Sequence, residues 1–162
     1  RLYKIFNNML IDAKCLDDFE KNEMTFVSVL ADLEHNGAYI DIKKLSEISK
    51  KFEKQITEIQ KKIYGLVQFE FNINSTLQMR DVLFNKLNLK PFKKTKKGEF
   101  STDSESLQSM EGQHPIILQI LSYRFYTKLK STYLDSLPSL INPKTNRVHT
   151  SYNQTGTSTG RL

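Results

Sequence analysis

Apolar residues recur at intervals of three and four along most of this chain, the spacing that puts side chains on one face of an α-helix. Leu2, Phe6, Met9, Leu10 and Ala13 predict a first amphipathic helix. Asp17-Asp18 is placed to cap a second, with Phe19, Phe26, Val27, Leu30 and Leu33 as its apolar face. Asn36-Gly37 should stop it, because glycine accepts the left-handed conformation of a helix end. Asp41 caps the longest helix, Ile42 to about Tyr64. Its seam of Leu45, Ile48, Phe52, Ile56, Ile59, Ile63 and Leu66 is coiled-coil-like. Such a seam can dimerise the chain or pack on an antiparallel helix of the same chain. Residues 116–137 offer the matching partner, so intramolecular packing is the expectation.

The second half continues the pattern in shorter pieces. Asn72-Ile73-Asn74-Ser75-Thr76 reads as a loop ending in a helix N-cap, with Leu77, Val82, Leu83 and Leu87 buried behind it. Phe100-Ser101-Thr102-Asp103 starts another capped helix. His114-Pro115 opens a helix with Ile116, Ile117, Ile120, Leu121, Phe125 and Leu129 as its stripe. His114 reads as a helix-start residue, since no second His or Asp stands at metal-ligand spacing. Leu137 to Ile141 and Arg147 to Tyr152 read as two strands around a turn at Pro143 to Asn146, where Asn tolerates positive φ. The fold class expected is mainly α: antiparallel long helices with a small β-hairpin near the C-terminal end.

Composition narrows the class. With 38% hydrophobic residues, ten Phe and seven Tyr, 162 residues can build a real core. No apolar run approaches the roughly 18 residues of a membrane span, and the basic N-terminus lacks the apolar stretch of a signal peptide. One cysteine, Cys15, excludes an internal disulfide and any cysteine cluster for zinc. The first residue is Arg1, not Met, so a piece of a longer protein is expected.

Charge changes the picture more. Residues 1–80 hold twelve Lys/Arg and twelve Asp/Glu, whereas residues 81–162 hold twelve against six, which accounts for the net +6. A neutral half and a basic half suit a scaffold joined to a polyanion-binding surface. Lys86 to Lys97 contains six lysines and no acid, and reads as a mobile basic loop. Arg124, Thr127, Lys128 and Ser131 are spaced to share a helix face opposite the apolar stripe, with Lys130 and Thr132 beside them. Ser, Thr, Asn and Lys hydrogen-bond phosphate oxygens without regard to base sequence. Asn74, Ser75 and Thr76 stand at a helix start, where the dipole favours phosphate. A solvated amphipathic helix followed by a polar hairpin has the same composition, and a plain N-cap the same residues.

The ordered segments LEHNGAYID (Leu33 to Asp41), FNINST (Phe71 to Thr76), VLFNKLNLKPFKKT (Val82 to Thr95) and FSTDSESL (Phe100 to Leu107) carry a resemblance. It continues through HPIILQILSYR (His114 to Arg124), KLKSTY (Lys128 to Tyr133), INPKTNRVHTSYNQT (Ile141 to Thr155) and TSTGRL (Thr157 to Leu162). Together these resemble family A DNA polymerases of the bacterial DNA polymerase I type. The resemblance implies three segments: residues 1–22 as the tail of a preceding exonuclease-like domain, 23–136 as the thumb subdomain, and 137–162 as the start of the palm. It implies that Lys93, Lys94, Thr95, Lys96 and Lys97 form a thumb-tip loop touching phosphates, and that Ser101 and Thr102 match the family's hydroxyl pair there. Glu99 and Phe100 stand where some relatives carry a further cation.

By the same resemblance, Asn74 to Thr76, Arg124, Lys128 and Lys130 contact duplex backbone, and Gln154, Thr157 and Arg161 hold the primer–template near its growing end. Arg161 matches an arginine that reads minor-groove acceptors, which lie at similar positions in every correct pair. The implied partners are primer–template DNA and, through palm and fingers segments outside this chain, deoxynucleoside triphosphates; no membrane is implied, and a monomer is. The implied cofactor is Mg²⁺, held in the family by palm aspartates that follow TGRL. Asp41, Asp81, Asp103 and Asp135 read as caps or isolated acids, not a metal pair. Within the parent the piece is thus expected to grip the duplex behind the active site, and by itself to be inactive as a polymerase. The implied location is the bacterial cytoplasm, or an organelle for a eukaryotic source. A non-enzymatic helical dimerisation or nucleic-acid-binding module is the alternative; an RNA-binding adaptor lacks exposed aromatic pairs for base stacking.

Overall fold

A computed structural model describes residues 2–162. In chain order it contains α1 (Leu2–Asp12), α2 (Leu16–Asp18), α3 (Met24–Asn36), β1 (Ala38–Tyr39), α4 (Ile42–Val67), α5 (Thr76–Arg80), α6 (Ser104–Ser109), α7 (Ile116–Leu129), β2 (Ile141–Asn142) and β3 (Arg147–Val148). Three wider, π-type turns extend helices: Phe19–Glu23 after α2, Asp81–Lys86 after α5 and Lys130–Leu134 after α7. The mainly α class is correct. The chain forms two compact units, Asp41–Pro138 and the remainder up to Ile40 with Ser139–Leu162. These units cut across the sequence-derived segments 1–22, 23–136 and 137–162, because α3 packs with the C-terminal hairpin.

The unit Asp41–Pro138 is built on α4. Asp41 caps it by accepting the Lys44 N–H at 3.0 Å. The helix runs three residues beyond Tyr64 and closes at Gln68, in the left-handed conformation at φ 63°. Gly65 therefore lies inside the helix, and a Cβ there would meet nothing within 4 Å. Of the predicted seam, Ile59 and Ile63 are buried and join one cluster with Met79, Leu83, Ile116, Ile117, Ile120 and Tyr123. The seam ends on half-buried Val67, and Leu66 is exposed; from Ile63 the i+4 position, not i+3, stays over the core.

Helix α7 packs along α4 in the expected antiparallel sense. Ser49 donates to Asp135 at 3.2 Å near one end, and the Phe52 and Tyr126 rings meet edge-on at 5.1 Å further along. Numbers rise on one helix as they fall on the other. The seam that could have dimerised the chain is thus covered from within. Leu77, expected in the core, is 69% exposed, and Met79 takes its place at full burial. Phe125, assigned to the α7 stripe, is 59% exposed. It follows buried Tyr123 by two residues, about 200° around the helix.

The other unit has little core. No α1 residue is buried, and Leu30 alone is buried on α3. Asp17 and Asp18 lie within the first turn after N-cap Cys15, with no side-chain cap bond, in place of the expected cap. The two expected strands are short: Leu137–Leu140 is a 3₁₀ turn, and β3 pairs with β2 on one side and β1 on the other, both antiparallel. Asn146 has the positive φ expected, 55°. Gly37 stops α3 at φ 62°, and a Cβ there would lie 2.8 Å from the Val148 carbonyl and the His149 ring. His149 Nδ1 bonds the Glu34 carbonyl at 2.8 Å.

Two substitutions on α4 test this account by urea denaturation. Ile63→Ala should lower stability by about 2–5 kcal/mol through the cavity left in the cluster. Gly65→Ala should raise it by about 0.5–1 kcal/mol, because the site is helical, open and free of positive φ.

Candidate nucleic-acid interface

The loop before α5 is shaped by its own polar side chains. Asn72 Oδ1 accepts the Asn74 N–H at 3.0 Å, and Ser75 caps α5 by accepting the Gln78 N–H at 3.4 Å. Asn74 Nδ2 reaches the buried Tyr123 hydroxyl at 3.4 Å. The basic loop is a turned hairpin. Lys94 and Phe100 form an antiparallel bridge, Thr95 N–H donates to the Glu99 carbonyl at 2.7 Å, and Gly98 N–H to the Thr95 carbonyl at 2.9 Å.

The six lysines are not equivalent. Lys86 sits 3.9 Å above the Phe69 ring and 4.0 Å from Asp81. Lys93 pairs with Glu105 and, at 3.1 Å, with Asp103; these carboxylates, Glu105 first, raise its pKa. Lys94 lies 5.5 Å from the Phe100 ring centre. Lys90, Lys96 and Lys97 are exposed.

Ser101 and Thr102 are buried, at 5% and 7% exposure. Ser101 Oγ accepts the Asp103 N–H at 3.2 Å, and the Thr102 carbonyl accepts from Arg124. They build the wall of the loop rather than an exposed hydroxyl pair. Asp103 caps α6 by accepting the Ser106 N–H at 2.8 Å. That bond, with help from Lys93, holds its carboxyl well below the usual carboxylate range. Arg124 is half-buried, and burial pulls its pKa below the ordinary guanidinium value; the group nonetheless stays charged.

These pieces meet. Asn74, Thr76, Thr95, Ser101, Thr102 and Arg124 line one open groove of about 540 Å³, together with Ile73, Arg80, Glu99, Phe100 and Asp103. Residues separated by fifty positions in sequence thus share one concavity, in which two arginines stand beside two acids, Glu99 and Asp103. Arg80 is the member that sequence reasoning misses. Its Nε donates to the Thr76 carbonyl at 3.2 Å and its Nη1 pairs with Glu99. The available signal was a cation one helical turn beyond Thr76.

On α7 the expected cationic face holds in part. Lys128, Ser131 and Thr132 are exposed. Thr127 is turned inward, its Oγ1 buried without a partner, because it continues the stripe of Ile116, Ile120 and Tyr123 at spacings of four and three. Lys130 is engaged by both Asp135 carboxylate oxygens at 3.0 Å, and Ser131 Oγ donates to the Lys128 carbonyl at 3.3 Å. Gln154, Thr157 and Arg161 belong to the other unit. There Gln154 Nε2 donates to the Glu23 carbonyl at 2.9 Å and its carboxylate at 2.6 Å. Thr157 Oγ1 donates to the Arg161 carbonyl and accepts its N–H, each at 2.9 Å, while the Arg161 side chain is exposed.

Residues 42–162 match the model of DNA polymerase family A, and the chain belongs to that family. It is 44% identical over 162 residues to DNA polymerase I of Borreliella burgdorferi, covering all of this chain and 18% of the relative. It is 43% identical over 150 residues to DNA polymerase I of Chloroflexus aurantiacus, covering 90% and 16%. The chain therefore spans less than a fifth of the length of these relatives. Its fold matches the POL domain of Pol1 from M. smegmatis, a structure in complex with DNA primer-template and dNTP, with a TM-score of 0.84, 32% identity, and coverage of 96% of this chain and 27% of that one.

The Asp103 cap makes the loop's stability depend on pH. Its folded carboxyl ionises below the ordinary value of 3.8, so its stabilising contribution is complete above that value and is lost as pH falls through and below it. Asp103→Asn should lower the thermal midpoint at pH 7, and the gap to the parent chain should close below about pH 4.

Proposed function

We propose that this chain is a duplex-gripping part of a DNA-directed DNA polymerase that works in replication or repair. The observation that carries the reading is the groove, which gathers Asn74, Thr76, Thr95 and two arginines, with Glu99 and Asp103 beside them, at one surface of the unit Asp41–Pro138. Guanidinium groups, an amide and hydroxyls hold phosphodiester oxygens without reading bases. Lys96, Lys97 and Lys128, all exposed, extend the positive surface that attracts a backbone. Family membership and the primer–template bound by the M. smegmatis relative support duplex DNA as the partner. In this reading Arg161, exposed at the end of the other unit, tests the primer-terminal pair through minor-groove acceptors common to all correct pairs.

Nucleotidyl transfer by this family needs Mg²⁺, and the described residues do not fit that role. No group of three or more His, Cys, Asp or Glu among them could hold a metal ion. Asp41 and Asp103 are caps, while Asp81 and Asp135 accept from Asn85 and Lys130. In this proposal the metal ions and the deoxynucleoside triphosphates are bound by residues outside these 162, and the chain works as a monomer in the bacterial cytoplasm. No helix among the described residues is long and apolar enough to cross a membrane.

Fluorescence anisotropy with a primer–template duplex across a salt series tests the grip. With four to six phosphates neutralised, log K should fall with log salt at a slope of about −4 to −5. Lys128→Ala should flatten that slope by about one unit. A flat response or no binding at low salt would overturn the proposal. With magnesium and all four nucleotides, the 162-residue polypeptide should extend no primer; robust extension would show that chemistry resides in these residues.

A further inference from the structure

The groove holds two acids, of which Asp103 is taken up by the α6 cap and Lys93. Glu99 pairs with Arg80, and the hairpin aims it there: the bridge between Lys94 and Phe100 and the Thr95 to Glu99 bond fix the backbone on both sides. Arg80 is the anchored partner, 21% exposed and held also by the Thr76 carbonyl, whereas Glu99 is 53% exposed. A carboxylate and a phosphodiester present the same pair of oxygens to a guanidinium fork.

We propose that Glu99 is a built-in stand-in for phosphate: it occupies Arg80 in the free chain and yields that arginine to a phosphodiester of the bound duplex. This rests on the duplex-gripping reading and deepens it by naming Arg80 as a contact residue and Glu99 as its competitor. The exchange is cheap because the pair is partly exposed, and Glu99 reaches water by a side-chain rotation. Arg80 keeps its place through Thr76. Arg124, fixed to the Thr102 carbonyl, provides the second cation of the groove. The device holds the arginine in position for backbone and weakens binding of any anion unable to outcompete a carboxylate.

Affinity and salt slope together read the exchange. In the parent chain and in Glu99→Gln alike Arg80 ends on a phosphate, so the number of counterions released from the DNA, and with it the slope, should change little. Duplex affinity at low salt should rise about two- to fivefold, the range set by a weak, partly exposed ion pair. Glu111→Gln removes the same charge outside the groove and should give less than half that gain. Arg80→Gln added to Glu99→Gln should abolish the gain and reduce the slope's magnitude by about 0.9, whereas Arg80→Lys should keep the slope and guard against a folding defect in the first variant.

A Glu99→Gln gain no larger than that of Glu111→Gln, or one that survives loss of Arg80, overturns the inference while salt-dependent binding of the parent chain leaves the duplex reading standing. No salt-dependent binding by any variant overturns both. Inorganic phosphate at constant ionic strength should reduce the gain by competing for Arg80, and a gain that excess phosphate leaves untouched overturns the inference.

Discussion

The packing of α7 along α4 sets the geometry of everything in the unit Asp41–Pro138. Ile59 and Ile63 from one helix and Ile116, Ile117, Ile120 and Tyr123 from the other are buried in one cluster, and removing any large member would open a cavity costing about 2–5 kcal/mol. That cost fixes the rotation of α7. With Tyr123 inward, its hydroxyl meets the Asn74 side chain, and the next residue, Arg124, falls at the edge, half-buried and within reach of the Thr102 carbonyl. Thr127 is drawn inward by the same rotation and Phe125 turned out. One apolar constraint thereby decides which polar groups of α7 face the groove.

Electrostatics acts on top of that frame, with smaller energies. Exposed ion pairs contribute about 0–1 kcal/mol each, so the pairs around the hairpin do not fold the chain. They distribute charge. Lys93 is spoken for by Asp103 and Glu105, Arg80 by Glu99 and Lys130 by Asp135. Lys96, Lys97 and Lys128 remain exposed. Because each pair is weak, a polyanion can replace the acid without unfolding its surroundings.

The unit formed by the chain up to Ile40 with Ser139–Leu162 is organised differently. No residue of its α1 is fully buried, and polar pins stand where a core would be. Arg147 donates to the Gly37 carbonyl at 3.2 Å, the Tyr152 N–H to Glu34 at 2.6 Å, and Gln154 to Glu23. Gly37 allows the close approach that these pins require.

Local signals were legible in the sequence. The caps at Asp41, Ser75 and Asp103, the stop at Gly37, the turn at Asn146 and the α4 seam each depend on neighbours a few residues away, and spacing reports those directly. So did the family, through an ordered set of segments. The length of the strands, the exposure of Leu77 and Phe125 and the inward turn of Thr127 depend on what lies across a contact from distant sequence. The groove is the clearest case: Arg124 stood out in the sequence by its place on a helix face, but that Arg80 and Glu99 line the same groove appears only in the folded chain. The sequence by itself determined which helices form and that half the chain is basic, because propensity, periodicity and charge count are local quantities. Which cations of the groove and the hairpin are paired was decided by tertiary structure, because Arg80 meets Glu99, and Lys93 meets Glu105, across stretches that helical spacing does not relate.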